Sequence, residues 1–173
     1  MKLFIARHAP REPSEDFTDA EEGDPEADIT DEGRLIATGM GEHLAEQGEI
    51  PSVIYASETV RAQQTAELIA EAIKDAGYDP PEVKVDFSIG PQMSIRGLVL
   101  KLGADGAKKA MIVSHQQTIR TGLQALNVDN GEGEKPDPHA AGEVRVYDVK
   151  RKSGKWSERS RVRPSDIGFP DVN

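Results

Sequence analysis

The 173-residue chain contains no cysteine, so it has neither a disulfide framework nor a thiolate metal site. It also lacks long apolar runs: the first one, KLFIA, is far too short for a signal peptide or a membrane span. We therefore expect a soluble, cytoplasmic protein without a membrane partner. Positive charge is scarce, because 21 Lys and Arg stand against 31 Asp and Glu and the net charge is −10. This balance argues against nucleic acid as a partner, since phosphate backbones need a basic surface.

Short strand-like runs alternate with helical patterns, and no internal repeat is visible. The predicted strands are residues 2–6, 52–56, an outer strand at 83–87, and 109–114. Helices are predicted from Thr30, from Ser57 to Ala76 with Ser57 as the N-cap, from Ser94 to Leu102 and from Gln116 to Leu126. The runs EVRVYDV and KWSERSRV read as a terminal antiparallel hairpin. This order predicts an α/β fold, a three-layer α/β/α sandwich with a mostly parallel central sheet and a C-terminal antiparallel hairpin. The length predicts a single domain over residues 1–173.

The first predicted helix has a clear start and a clear apolar side. Thr30 is the predicted N-cap, with Gly33 at the third helical position. Leu35, Ile36, Met40 and Leu44 form the predicted buried stripe at helical spacing. Before this helix, the acidic, proline-containing segment 10–28 is predicted to be a long loop, and loops of that length are often functional.

Two strand-like runs end in a histidine, at Arg7-His8 and at Ser114-His115, and Arg61 lies just inside a predicted helix start. Ligands in open α/β sheets bind beyond the carboxyl ends of the strands, so we expect these side chains to meet there. An imidazole can accept a phosphoryl group as a nucleophile, and guanidinium forks match phosphate oxygens. The pattern predicts a site for a phosphoryl group. A metal site is not expected, because the four histidines are dispersed and two are used for phosphate.

The chain resembles the histidine phosphatase superfamily, the phosphoglycerate-mutase-like group, over roughly residues 2–126. Four segments carry the resemblance in the right order: Arg7-His8, DITDEGRLIATGMGEHL, SETVRAQQTA and Ser114-His115. The resemblance implies an enzyme that needs no cofactor and forms a phosphohistidine intermediate on His8. In this reading Arg7 and Arg61 clamp the phosphoryl oxygens, and His115 binds one of them as a cation or a hydrogen-bond donor.

Weaker candidates for substrate binding are Ser14 and Gln116. Ser14 lies where relatives often place a polar residue that contacts the phosphate. Gln116 begins a predicted helix, whose N-terminal N–H groups suit an anion.

The chain departs from the family pattern at two places. Ala9 replaces the usual glycine after the nucleophile, which matters if that position needs a positive φ. The glutamate that protonates the leaving oxygen in mutase-like relatives is missing from DFSIGPQMS, and Gln116 replaces the aspartate that others use. The short bacterial phosphohistidine phosphatases lack both acids as well, and this chain is most similar to them. A substitute donor from the 10–28 loop would be Glu12, Glu15 or Asp16; without one, activity should depend steeply on the leaving group.

These observations predict a metal-independent phosphatase for a phosphorylated substrate, protein or small molecule. A phosphoprotein, above all phosphohistidine, or an activated phosphomonoester is the leading substrate class. The alternatives are a phosphate-binding module of low turnover, and a small-molecule phosphomonoesterase or phosphoglycerate mutase. The oligomeric state is left open by the sequence.

Overall fold

The computed structural model describes residues 1–13, 24–128, 137–150 and 155–172 of the chain. Its strands are β1 (Lys2–Arg7), β2 (Val53–Ala56), β3 (Glu82–Val85), β4 (Lys109–Ser114), β5 (Val144–Lys150) and β6 (Lys155–Val162). Its helices are α1 (Asp31–Glu46), α2 (Val60–Asp75), α3 (Arg96–Ala104) and α4 (Gln116–Ala125), with short 3₁₀ helices at Phe87–Ile89 and Pro164–Ile167.

The strands form one sheet in the order β3-β2-β4-β1-β5-β6. β3, β2, β4 and β1 pair in parallel, and β5 runs antiparallel to both β1 and β6. The α/β fold with a mostly parallel sheet and a C-terminal antiparallel hairpin is therefore confirmed. β3 is the edge strand that the sequence predicts.

The two faces of the sheet are buried under different helices. Successive strand residues point to opposite faces, so Phe4 and Ala6 pack with the apolar side of α1 and α2, whereas Leu3 and Ile5 pack with α3 and α4. This arrangement produces the three predicted layers. In the described part of the chain, no helix is both long and apolar enough to cross a membrane.

Helix α1 begins where the sequence predicts. The Thr30 hydroxyl accepts a hydrogen bond from the Gly33 N–H at 2.9 Å, and the Thr30 N–H donates to the Pro10 carbonyl at 2.9 Å. A side chain at position 33 would collide with that carbonyl, because a Cβ would lie 2.4 Å from the Pro10 oxygen. The start of α1 is thus packed directly on the segment that follows β1.

The predicted stripe of α1 is wrong at one position. Leu35 is 60% exposed, whereas Ile36, Met40 and Leu44 are buried. The buried side of this turn extends from Ile36 towards Ala37, and Leu35, about 100° from Ile36 in the opposite direction, faces solvent. Ala37 takes the remaining buried position.

Several strands end at the same side of the sheet, which we call the sheet edge of the site. The parallel strands β1, β2 and β4 all end there, and the antiparallel β5 begins there. Residues just after β1, β2 and β4 and just before β5 must therefore lie close together.

Candidate active site

His8 follows β1 and is buried at this edge. Its backbone N–H donates to the Ser114 carbonyl at 3.0 Å, which fastens it to the end of β4. Its Nδ1 lies 2.8 Å from the Ala9 carbonyl oxygen. A carbonyl oxygen only accepts, so Nδ1 carries the proton and Nε2 keeps its lone pair.

His8 also remains neutral. Burial lowers its pKa well below 6.5, and the nearby His115 and Arg61 lower it further. A neutral imidazole with a free Nε2 lone pair is the form that can attack phosphorus.

Ala9 does not strain the backbone in place of the family's glycine. Among the described residues other than glycine, positive φ occurs at Gln92 and Asn127. Ala9 is fully buried, and its N–H donates to the Thr65 hydroxyl at 3.0 Å. Position 9 therefore does not need the positive φ that glycine would allow, and alanine fits there.

His115 faces His8 across the site, with 5.2 Å between the ring centroids. Its Nε2 lies 2.7 Å from the Ser57 hydroxyl oxygen, and its Nδ1 lies 3.5 Å from a terminal nitrogen of Arg61. A guanidinium only donates, so Nδ1 accepts and Nε2–H donates to Ser57.

The protonation of His115 narrows its predicted role. Burial lowers its pKa to about 3, with further lowering from Arg61 and Arg7. His115 is therefore neutral at physiological pH, and to act as the predicted donor to a phosphoryl oxygen it must release its Nε2–H from Ser57.

Ser57 is used by the site and does not cap the next helix, contrary to the sequence prediction. The N-cap of α2 is Thr59, whose backbone is still extended, and α2 begins at Val60. The Ser57 hydroxyl lies 3.1 Å from the Thr59 hydroxyl and 2.7 Å from His115 Nε2. The β2–α2 connection thus continues for two residues beyond the predicted cap and supplies a hydrogen-bond partner to His115.

Arg61 is fully buried in the first turn of α2. One terminal nitrogen donates to the Asp24 carbonyl at 2.8 Å, and the other reaches His115. A buried guanidinium between neutral imidazoles gives the site a positive potential, although the whole chain is acidic. The structure therefore places Arg61 where a phosphate clamp is predicted.

Arg7 reaches the same site from the end of β1. One of its terminal nitrogens donates to the His139 carbonyl at 3.0 Å. His139 precedes β5, and its own N–H donates to the Gln116 side-chain oxygen at 3.0 Å. In this structure Gln116 thus supports the segment that contacts Arg7, while its predicted contact with substrate stays a prediction.

The segment before β5 is organised by a buried ion pair that sequence reasoning missed. Arg145 and Glu143 are each 1% exposed and their charged atoms lie 2.6 Å apart. Arg145 also donates to the carbonyls of Asp137 and Pro138, and Glu143 accepts from the Ala140 N–H at 2.8 Å. The visible signal was EVRV, where two charged residues share one face of a strand-like run.

The structure describes one of the three predicted proton donors, Glu12. Glu12 is exposed, and Ser14, Glu15 and Asp16 lie outside the part of the chain that the structure describes. Within that part, no three His, Cys, Asp or Glu side chains are grouped so that they could hold a metal ion.

Comparisons with known proteins bear on this site. The family model of the histidine phosphatase superfamily, branch 1, matches residues 3–85, a span that contains Arg7, His8 and Arg61. The chain matches none of the curated proteins with which it was compared.

The fold is shared with several solved structures. The protein histidine phosphatase SixA, in complex with tungstate, has a TM-score of 0.77 at 20% identity, with 96% of this chain and 99% of that chain covered. SixA from Agrobacterium tumefaciens has a TM-score of 0.74 at 17% identity, with 94% and 97% covered. A mycobacterial glucosyl-3-phosphoglycerate phosphatase has a TM-score of 0.67 at 16% identity, with 91% and 96% covered.

Proposed function

The chain belongs to the histidine phosphatase superfamily, branch 1, and on that premise we propose that it hydrolyses a phosphorylated substrate through a phosphohistidine intermediate on His8. The observation that carries the proposal is the state of His8: buried, neutral, and with its Nδ1 proton committed to the Ala9 carbonyl. That arrangement leaves Nε2 as a nucleophile of fixed direction.

The reaction then proceeds in two displacements. His8 Nε2 attacks phosphorus, a P–N bond forms, and the bond to the leaving group breaks with its electron pair going to the leaving atom. Water attacks the phosphohistidine in the second step, and His8 leaves with the electron pair of the P–N bond. Inorganic phosphate is released and His8 is regenerated.

Arg7 and Arg61 stabilise the charge that the phosphoryl oxygens carry during both steps, and His115 contributes when its Nε2–H turns from Ser57 to one of these oxygens. Arginine forks suit these oxygens, and donors that are already in place need no reorganisation when the transition state forms. All three side chains lie at the same sheet edge as His8, and His115 is 5.2 Å from it between ring centroids. No cofactor or metal is part of the proposal.

The proposed substrate class is a phosphoprotein, phosphohistidine in particular, or an activated phosphomonoester. Two observations support it: no carboxylate stands at the usual acid positions, and a structural neighbour of the same fold is a protein histidine phosphatase that was solved with tungstate, a phosphate-like oxyanion. A small-molecule phosphomonoesterase is the second candidate. It is supported by the similar fold of a glucosyl-3-phosphoglycerate phosphatase.

The first experiment is a rapid quench with an aryl phosphate and, separately, with a phosphohistidine protein. We expect acid-labile, alkali-stable phosphate on residue 8, and we expect His8→Ala to lose both the burst and the turnover. Assays contain a chelator, so that dependence on a divalent ion appears as lost activity. Full turnover by His8→Ala contradicts the proposal, and phosphate binding measured by calorimetry without any turnover favours the binding module instead.

A further inference from the structure

Glu58 lies in sequence between Ser57 and Thr59 of the proposed site, although no step described above uses it. Its neighbours Ser57 and Thr59 both approach His115 Nε2, at 2.7 and 3.5 Å. The Glu58 backbone is held as well, since its carbonyl accepts from the Gln63 side chain at 2.7 Å. A short, anchored connection therefore holds Glu58 between two residues that contact His115.

The carboxylate of Glu58 is packed on the turn that follows the 3₁₀ helix Phe87–Ile89. A Cβ at Gly90 would lie 2.2 and 2.5 Å from its two oxygens, so the carboxylate occupies the place of a side chain at position 90. This turn is fastened to the His115 region, because the carbonyls of Ile89 and Gly90 accept from the hydroxyls of Ser114 at 2.6 Å and Thr118 at 2.8 Å.

One oxygen of Glu58 is left available by this packing. Oε2 is buried and makes no hydrogen bond with any described residue. A buried carboxylate oxygen without a partner is costly, and because this one lies on a turn bonded to the residues on either side of His115, we take its partner to arrive with the substrate. The turn on which it lies has no acidic side chain of its own between Phe87 and Ser94.

We propose that Glu58 is the proton donor to the leaving group, an inference that rests on the proposed function of His8. As His8 Nε2 attacks, the P–O bond breaks, its electron pair goes to the ester oxygen, and the Glu58 carboxyl proton moves to that oxygen to give a neutral alcohol. In the second displacement the Glu58 carboxylate accepts a proton from the attacking water.

This role extends the substrate class. An alkoxide leaves poorly unless it is protonated, and a positioned acid supplies about 10²–10⁴-fold in rate. With Glu58 as donor, alkyl phosphate esters become substrates beside aryl phosphates and phosphohistidine. The sequence predicts that the activity of an enzyme without an acid depends steeply on the leaving group. We expect this dependence in a Glu58 variant and not in the parent.

The test compares parent and Glu58→Gln on an alkyl ester, such as phosphoserine, and on a series of aryl phosphates. We expect the variant to lose about 10²–10⁴-fold in kcat/KM on the alkyl ester. On a nitrophenyl phosphate, whose leaving group needs little protonation, it should stay within a few-fold of the parent. Glu67→Gln, an exposed glutamate on α2, is the matched control and should leave both rates unchanged.

Gly90→Ala is the second variant and keeps the test decisive if Glu58→Gln is unstable. Gly90 has a φ of −67°, which alanine adopts without strain, so the added methyl group should displace the flexible carboxylate and not the backbone. It should show the same selective loss on the alkyl ester.

Equal losses on alkyl and aryl esters, or none on either, overturn the role of Glu58 while His8 phosphorylation still stands. A parent enzyme that forms no phosphohistidine on residue 8 overturns the proposed function, and the role of Glu58 with it.

Discussion

Three of the four ring nitrogens of the two site histidines have a defined hydrogen-bonding role. His8 donates from Nδ1 to Ala9, whereas His115 donates from Nε2 to Ser57 and accepts at Nδ1 from Arg61. Arg61 is therefore tied to the tautomer of His115 as well as to the predicted phosphate. Its substitution should disturb both.

Arg61→Lys and Arg61→Ala separate charge from geometry. Lysine keeps the charge and loses the fork, so it cannot contact His115 and two phosphoryl oxygens in the same way. We expect both variants to fall by about 10²–10³-fold in kcat/KM, with alanine slower than lysine. Steady-state kinetics on a nitrophenyl phosphate measures this. If both variants match the parent, Arg61 does not serve as a clamp.

At this scale the sequence was informative about which residues meet and less informative about their partners. His8, Arg61 and His115 could be predicted because a strand end or a helix start determines where each residue lies. The contact of Gln116 with His139 and the carboxylate of Glu58 on Gly90 could not be predicted. Both depend on the path of a connecting segment, which leaves no periodic pattern in the sequence.

Among the elements, β5 does more than form a hairpin with β6: it also brings the segment before it to the candidate active site. It runs antiparallel to β1, so the segment before β5 lies where β1 ends. There the His139 carbonyl accepts a hydrogen bond from Arg7. The buried pair Glu143–Arg145 shapes that segment through bonds to three backbone groups. We infer that this pair positions Arg7.

Arg145→Met tests the pair against a merely stabilising role. The single variant leaves a buried carboxylate without its partner and should lower the free energy of unfolding by about 3–5 kcal/mol in urea denaturation. The double variant Glu143→Leu/Arg145→Met removes both charges and should recover most of that loss.

Activity should not recover with stability in the double variant. Its apolar side chains cannot hold the carbonyls of Asp137 and Pro138, so KM for an aryl phosphate should remain raised. A double variant with parental KM contradicts the positioning role of the pair.

Across the whole molecule, three buried histidines link folding to pH. Burial lowers the pKa of His8 and His139 well below 6.5 and that of His115 to about 3. These side chains are neutral in the folded protein and take up protons in the unfolded chain below about 6.5. Their neutral burial therefore costs no stability above that pH, and stability is lost as the pH falls from about 6.5 towards the folded pKa values.

We expect the free energy of unfolding to fall between pH 7 and pH 5.5, by up to about 1.4 kcal/mol per pH unit for each of these histidines. Urea denaturation at several pH values measures the slope. His139→Gln should reduce that slope by the contribution of one proton, whatever its effect on stability at pH 7. A flat profile over this range contradicts the burial of neutral histidines.

At this scale the sequence predicts the fold class and the C-terminal hairpin, but it does not predict the order of the strands in the sheet. Alternating strands and helices predict a mostly parallel sandwich, and EVRVYDV with KWSERSRV predicts the hairpin that β5 and β6 form. The order β3-β2-β4-β1-β5-β6 depends on pairing between distant strands, such as β1 with β4. Local patterns do not encode such pairings.

The position of β1 between β4 and β5 has a consequence for the time at which activity appears. Arg7 meets a residue 132 positions away, and His115 meets one 58 positions away. Closing such long loops is slow compared with forming a helix. During refolding, helical circular dichroism should therefore return before turnover does, and an intermediate that has α1 and α2 but lacks β5 would not yet catalyse phosphoryl transfer.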